Sequence, residues 1–331
     1  MTHNSAPVAV VTGASAGVGK ATALLFGKQG YRVGLLAREP GALKQTRLEI
    51  ERLGGRALDV PVDVADPDAL ETAAQAVESE LGPIDVWVNN AMVSVFAPFT
   101  EMSEEDFRRV TEVTYLGAAN GTRSALRRMV PRDAGCIVQV GSALAYRGIP
   151  LQSAYCGAKH ALQGFTESVR CELLHDKSRV HLTSVHLPAL NTPQFSWVKT
   201  SYTKHPQPVP PIFEPEVAAD AIVWASQHRR RREWFVGGPT ALTVAGNKVI
   251  PGLLDRYLGR TGYKSQLSDR PIAGNRPDNL RTPVEGVHGA HGAFGDQAKP
   301  RSLQWWVSKN RTWLALGSGA VGGALALWKR D

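Results

Sequence analysis

Cysteine is scarce. The 331 residues include three, at positions 136, 156 and 171. So few, and an odd number, exclude a disulfide framework. Each sits in a stretch that reads as strand or helix, so they act as small core hydrophobes in a reducing compartment. There is no Cys-x-x-Cys pair and no His-rich spacing, and no metal is expected. Self-similarity at a solenoid period is also missing. No secretory signal is expected: residues 1–7 are short and polar, and the apolar run Val8 to Val11 is too short for a signal-peptide core. A cytoplasmic catalytic domain is the expectation. Composition is otherwise ordinary for a soluble globular chain, at 43% hydrophobic and 21% charged, with net charge +8. The excess charge raises nucleic acid as a partner, but no RNA- or DNA-binding module accompanies it, so none is expected.

What is present concentrates in Ser142 to Lys159, SALAYRGIPLQSAYCGAK. Tyr155 and Lys159 are spaced i and i+4. In a helix from Ser153 onward they share one face, one turn apart. A phenol with its ordinary pKa of about 10 is a poor acid or base at neutral pH, and a nearby cation favours the phenolate. Ser142 ends an apolar run, Cys136 to Val140, that reads as a buried strand. Its hydroxyl could bond a substrate oxygen beside the phenol. A helix with an exposed Tyr–Lys pair would show the same YxxxK spacing.

At the other end, Pro7 to Val11 is a short apolar strand. Thr12-Gly13-Ala14-Ser15-Ala16-Gly17-Val18-Gly19 follows, and then a helical run to Gln29. A strand, a glycine turn and a helix present free N–H groups and a helix N-terminus to a pyrophosphate. The spacing is GxxxGxG, and an ordinary βα connection remains the alternative.

TGASAGVG, Asp63-Val64, Asn89-Asn90-Ala91, Ser142 and Tyr155-Cys-Gly-Ala-Lys159 stand in the order and spacing of the short-chain dehydrogenase/reductase family, which the chain resembles over roughly residues 6 to 240. The resemblance implies an α/β doubly wound parallel sheet, the Rossmann fold. It also implies a nicotinamide cofactor and hydride transfer between a carbonyl and an alcohol. Carried over by position, Tyr155 is the general acid/base, Lys159 lowers its pKa and binds the nicotinamide ribose, and Ser142 positions the substrate oxygen. Gly13, Ser15, Gly17, Val18 and Gly19 form the cofactor loop. Asp63 and Val64 lie near the adenine, and Asn90 supports the site. Arg38 follows the second strand, where an acid would bind the 2′-hydroxyl of NAD and an Arg accommodates the 2′-phosphate of NADP. NADP is therefore expected over NAD, although Ala16 stands where many NADP users carry a second basic residue.

The chain departs from the family in three places. Met92 replaces a usual Gly after Asn89-Asn90-Ala91. Pro188-Ala189 replaces Pro-Gly, with Thr192 expected to bond the nicotinamide carboxamide. Thr114 stands where most members have the Asn that completes a catalytic tetrad by holding a relay water. Thr114 either holds that water differently or the relay runs another way. The expected function is an NADP-dependent oxidoreductase on an apolar carbonyl or secondary alcohol. A cofactor-binding regulatory or scaffold protein that lost turnover with the tetrad Asn is the alternative. A homo-oligomer is expected.

Leu190 to Pro211, with Phe195, Trp197, Tyr202 and five prolines, reads as an apolar substrate lid, with a Pro-rich surface loop as the alternative. Arg123, Arg127, Arg128 and Arg132 suggest a basic stripe, with an ordinary solvated outer face as the alternative. Arg229 to Arg232 reads as a solvated edge or a patch for anionic headgroups. The domains are the catalytic domain over 1–245, an irregular extension over 246–301 in which only Val249 to Leu258 reads as helical, and an apolar helix over 302–331. Thr312 to Trp328 carries no charge. As a helix it spans about 25 Å at ~1.5 Å per residue, against a hydrocarbon core of ~30 Å. Trp305, Trp306, Trp313 and Trp328 flank it, which suits a membrane interface. Gly319 and Gly323 form a GxxxG pair. Membrane association on the cytoplasmic face is the expectation; a soluble helix packed on the domain is the alternative.

Overall fold

The computed structural model describes residues 6–274 and 276–311. Seven parallel strands form the central sheet: β1 (Val8–Thr12), β2 (Arg32–Ala37), β3 (Arg56–Pro61), β4 (Ile84–Asn89), β5 (Cys136–Ser142), β6 (His181–Leu187) and β7 (Glu233–Phe235). Their order is β3-β2-β1-β4-β5-β6-β7. The central strands read as continuous apolar runs because helices cover both faces. One face is closed by α1 (Gly17–Lys28), α2 (Pro40–Arg52) and α8 (Pro215–Gln227), through Phe26, Leu43, Ile50 and Ile222. The other is closed by α3 (Pro67–Leu81), α4 (Glu104–Thr111), α5 (Gly117–Met129) and α6 (Ser153–His175), through Leu70, Val77, Val110, Met129 and Val169. A one-turn α7 (Gln194–Trp197) follows β6.

The strand order reverses at β1, which pairs with β2 on one side and β4 on the other. Crossovers leave this point in opposite directions, so a crevice opens at the carboxyl ends of β1 and β4. Gly13 and Asn90 stand there.

Three expectations require correction. The extension is less irregular than its composition suggests, since the last turn of α9 (Gly238–Val249) and all of α10 (Pro251–Gln266) occupy its first part. Pro251 fits the first turn of α10. Gly262 serves close packing and does not break the helix, because a Cβ there would lie 2.9 Å from Pro150. Trp305 belongs to the core: its ring lies 5.8 Å from that of Trp234, and its indole N–H donates to Asp220 at 2.6 Å. The arginine stripe is partly internal, with Arg128 nearly buried between Glu71 at 2.8 Å and Glu78 at 3.1 Å. Among the described residues no helix is long and apolar enough to cross a membrane, and Thr312 to Trp328 lies outside them.

Candidate active site

The crevice widens into a cavity of about 520 Å³ that runs from Arg38 to Tyr155. Its floor at the β1 end is the glycine loop. Gly13 (φ +69°) and Gly17 (φ +55°) take a left-handed backbone conformation that side chains disfavour. A Cβ at Gly19 would collide with the carbonyl oxygen of Gly13, so the third glycine permits the turn without lining the cavity. Thr12 Oγ1 accepts from Asn90 N (2.9 Å) and Ala91 N (3.0 Å), and Asn90 Nδ2 donates to Thr12 O (2.9 Å). The Asn pair therefore locks the loop to the end of β4. Asn89 sits behind, joined to Trp87, Thr122 and Gln139. Ser15, Val18, Asp63 and Val64 line the same end. Asp63 is engaged already, accepting from Ala65 N (3.0 Å) and pairing with Arg109.

Ser142, Tyr155 and Lys159 meet at the far end. β5 delivers Ser142; the first two turns of α6 deliver the other two. Lys159 is 3% exposed, and its ammonium donates to Val140 O at 2.7 Å, 5.6 Å from the centre of the Tyr155 ring. Burial lowers its pKa to about 8. Burial also raises the Tyr155 pKa above its ordinary value, against a smaller lowering by the Ser142 hydroxyl. The expected cationic depression of the phenol is therefore corrected. Desolvation sets the direction, the ammonium is turned to the Val140 carbonyl, and the phenol keeps its proton.

The sequence model of the short chain dehydrogenase family matches residues 7–201. The chain belongs to the short-chain dehydrogenase/reductase family. It is 31% identical over 323 residues to the uncharacterized oxidoreductase YxnA of Bacillus subtilis, covering 97% of this chain and 89% of that protein. Over 227 residues it is 31% identical to a fatty acyl-CoA reductase of Acinetobacter baylyi, covering 68% of this chain and 74% of that protein. A crystal structure of a metagenomic short-chain oxidoreductase in complex with NADP matches with a TM-score of 0.59 at 29% identity, covering 70% of this chain and 97% of that one. Like its family, this dehydrogenase takes a nicotinamide cofactor. The glycine cradle, bare of side chains at Gly13 and Gly17, and a cavity continuous from Arg38 to Tyr155 fit such a group.

Thr114 does not join the catalytic trio. It lies in a π-helical turn, Glu112–Leu116, and its hydroxyl donates to Val93 O (2.9 Å) and accepts from Val93 N (3.1 Å). It clasps the loop after β4 and does not line the cavity. Thr192 does line it, opposite the glycine loop: a Cβ on Gly17 would lie 3.4 Å from its side chain.

The dehydrogenase's substrate half is walled by Leu144, Ile149, Phe195, Trp197 and Val209, so the Leu190–Pro211 segment does face the cavity. Sequence reasoning missed the other contributors. Thr240, Tyr257 and Leu258 come from α9 and α10. Asn279, Val284 and His288 come from the chain beyond α10. His186 on β6 was missed as well. It is buried behind Ser142, stacked on Phe235, and held neutral by burial. Its only signal in the sequence is a His near the end of a strand that is otherwise closed on both faces.

Proposed function

We propose that this dehydrogenase reduces an apolar carbonyl compound with NADPH, Tyr155 supplying the proton. The observation that carries the reading is the Tyr155 phenol grouped with Ser142 and Lys159 at the end of an apolar cavity. The bound nicotinamide would supply a hydride. The Ser142 hydroxyl orients the substrate oxygen, and Tyr155 gives that oxygen its proton as negative charge develops there. The Lys159 ammonium adds a buried positive charge behind the phenol and steadies the phenolate left after transfer. The apolar walls exclude water and take a hydrocarbon chain. The name of the Acinetobacter relative, a fatty acyl-CoA reductase, supports an apolar substrate. Arg38 and the NADP-bound structural relative support the phosphorylated cofactor.

The test is consumption of NADPH and NADH with medium- and long-chain aldehydes and ketones, against short polar ones. Faster turnover with NADPH and with the longer chains is expected. Equal rates with both cofactors would sink the NADP assignment, and preference for the polar substrates would sink the apolar one.

A further inference from the structure

Beyond α10, residues 276–294 turn back across the outer rim of the dinucleotide end. The anchors run in sequence along this strap. Arg276 donates to the carbonyls of Phe195 (3.2 Å), Ser196 (2.7 Å) and Val198, and Asn279 N donates to Trp197 O (3.1 Å). Leu280 is fully buried in the apolar cluster of Val62, Val64 and Val110. Arg38 Nη1 donates to Leu280 O (3.3 Å) and Arg281 O (2.9 Å), its Nη2 to Asn279 O, and Arg109 Nε to Leu280 O (3.1 Å). Further on, Lys20 Nζ donates to His288 O (3.3 Å) and Gly17 N to Gly289 O (3.2 Å). Gly292 N and Phe294 N donate to Asn191 O (3.1 Å) and its Oδ1 (2.9 Å).

Two observations separate this from surface packing. First, the strap touches the groups that face the cavity: Arg38, the first residue of α1, and the neighbours of Thr192. Second, Asn279 lines the cavity beside Arg38 and Asp63, and its Oδ1 is buried without a hydrogen-bond partner. A buried acceptor left unpaired costs about 1–3 kcal/mol. Nearby Asp63 already holds Arg109 and Ala65 N. A guanidinium has five N–H donors. The strap carbonyls use those on Nη1 and one on Nη2, leaving Nε–H and one Nη2 hydrogen of Arg38 unengaged.

We propose that the strap is the outer half of the dinucleotide site: Asn279 accepts a hydrogen bond from the exocyclic amine of the adenine, and the carbonyls of residues 279–281 fix the Arg38 guanidinium beside it. This rests on the nicotinamide-dinucleotide reading of the cavity. The adenine is common to NADPH and NADH, so Asn279 serves both, whereas Arg38 distinguishes them. The 323-residue match to YxnA is long enough to include the strap.

The experiment is calorimetric titration of the full chain and of Asn279→Ala with NADPH, NADH and reduced nicotinamide mononucleotide, which lacks the adenosine half. Loss of one neutral hydrogen bond raises Kd by roughly 3- to 10-fold. That rise is expected for NADPH and NADH alike and not for the mononucleotide. Hydrogen exchange of the wild-type chain supplies a second reading: the amides of Asn279, Gly292 and Phe294 should slow when NADPH binds. Unchanged affinities, an equal loss for the mononucleotide, or strap amides indifferent to cofactor would each overturn the proposal; in the first case a solvent molecule satisfies the amide. Failure of the wild-type chain to bind either dinucleotide would overturn the proposal and the cofactor reading together. With dinucleotide binding intact, only the strap proposal is at stake.

Discussion

The two walls of the cofactor cleft are built by opposite means. The inner wall is the carboxyl edge of the sheet. Strand register places Gly13, Asn90, Ser142 and Pro188 there, and local bonds such as Thr12 to Asn90 hold them. The outer wall, residues 276–294, has little regular structure. Cationic side chains of the inner wall and its surroundings, Lys20, Arg38 and Arg109, grip its carbonyls. One wall takes its geometry from a ladder, the other from tethers. A ladder opens only when the fold does. Tethers made of exposed or half-exposed hydrogen bonds open locally at far lower cost.

The largest way to sharpen this contrast is Tyr155→Phe, which removes chemistry from the inner wall and leaves both walls' shape. Turnover should fall about 100- to 10,000-fold, while dinucleotide affinity stays near that of the wild type. A variant with a near-normal rate on a verified substrate would remove Tyr155 from the reaction. Arg38→Asp strikes the tether common to both walls. NADPH affinity should drop roughly 10- to 100-fold, since a 2′-phosphate gains charge-assisted bonds from an Arg, and exchange of the strap amides should quicken. Faster strap exchange without loss of NADPH preference would show Arg38 to be a tether alone.

Lys159 tests the inner wall by pH. Its ammonium is charged below about 8 and loses its proton as pH rises through that value. The rate of reduction should therefore break downward near pH 8, and a flat profile to pH 10 would contradict the placement. The effect on stability has the opposite sign. Between about 8 and the unfolded value of 10.5 the unfolded chain holds a proton that the folded chain does not, so this group's contribution to stability grows more favourable with rising pH. Lys159→Met should thus lose activity and gain thermal stability. The smallest effect is expected for Thr114→Val, which orphans Val93 N and O. It should cost about 1–3 kcal/mol of stability and slow turnover less than tenfold. A hundredfold loss of rate with an unchanged melting temperature would instead restore Thr114 to the proton relay.

The inner wall is legible in the sequence because its signals are local. Apolar runs mark the strands, and paired spacings such as Gly13–Gly17–Gly19 and Tyr155–Lys159 mark what a turn or a helix face brings together. The outer wall is not, because it is gripped by its backbone carbonyls and a carbonyl has no letter in the sequence. Asn279 looks like any loop asparagine until Arg38, 241 positions away, is seen beneath it. The full length of α10 escapes a reading of pattern because Gly252, Gly259 and Gly262 mask its period, and the third of them answers to Pro150. The direction of the Tyr155 shift is hidden for a related reason. Spacing sets the distance to Lys159, but the burial of the phenol decides the direction.

The tethers also impose an order of events on the newborn chain. Lys20 and His288 lie 268 positions apart, and Arg38 and Arg281 lie 243 apart. Contacts of such separation are slow to form, while β1, α1 and β2 meet within a few tens of residues. The sheet edge is complete before the strap has been made, so cofactor can enter an open cleft and the strap can dock over it afterwards. In refolding, cofactor added before the strap docks should accelerate the last phase, because it fills the space against which Asn279 settles.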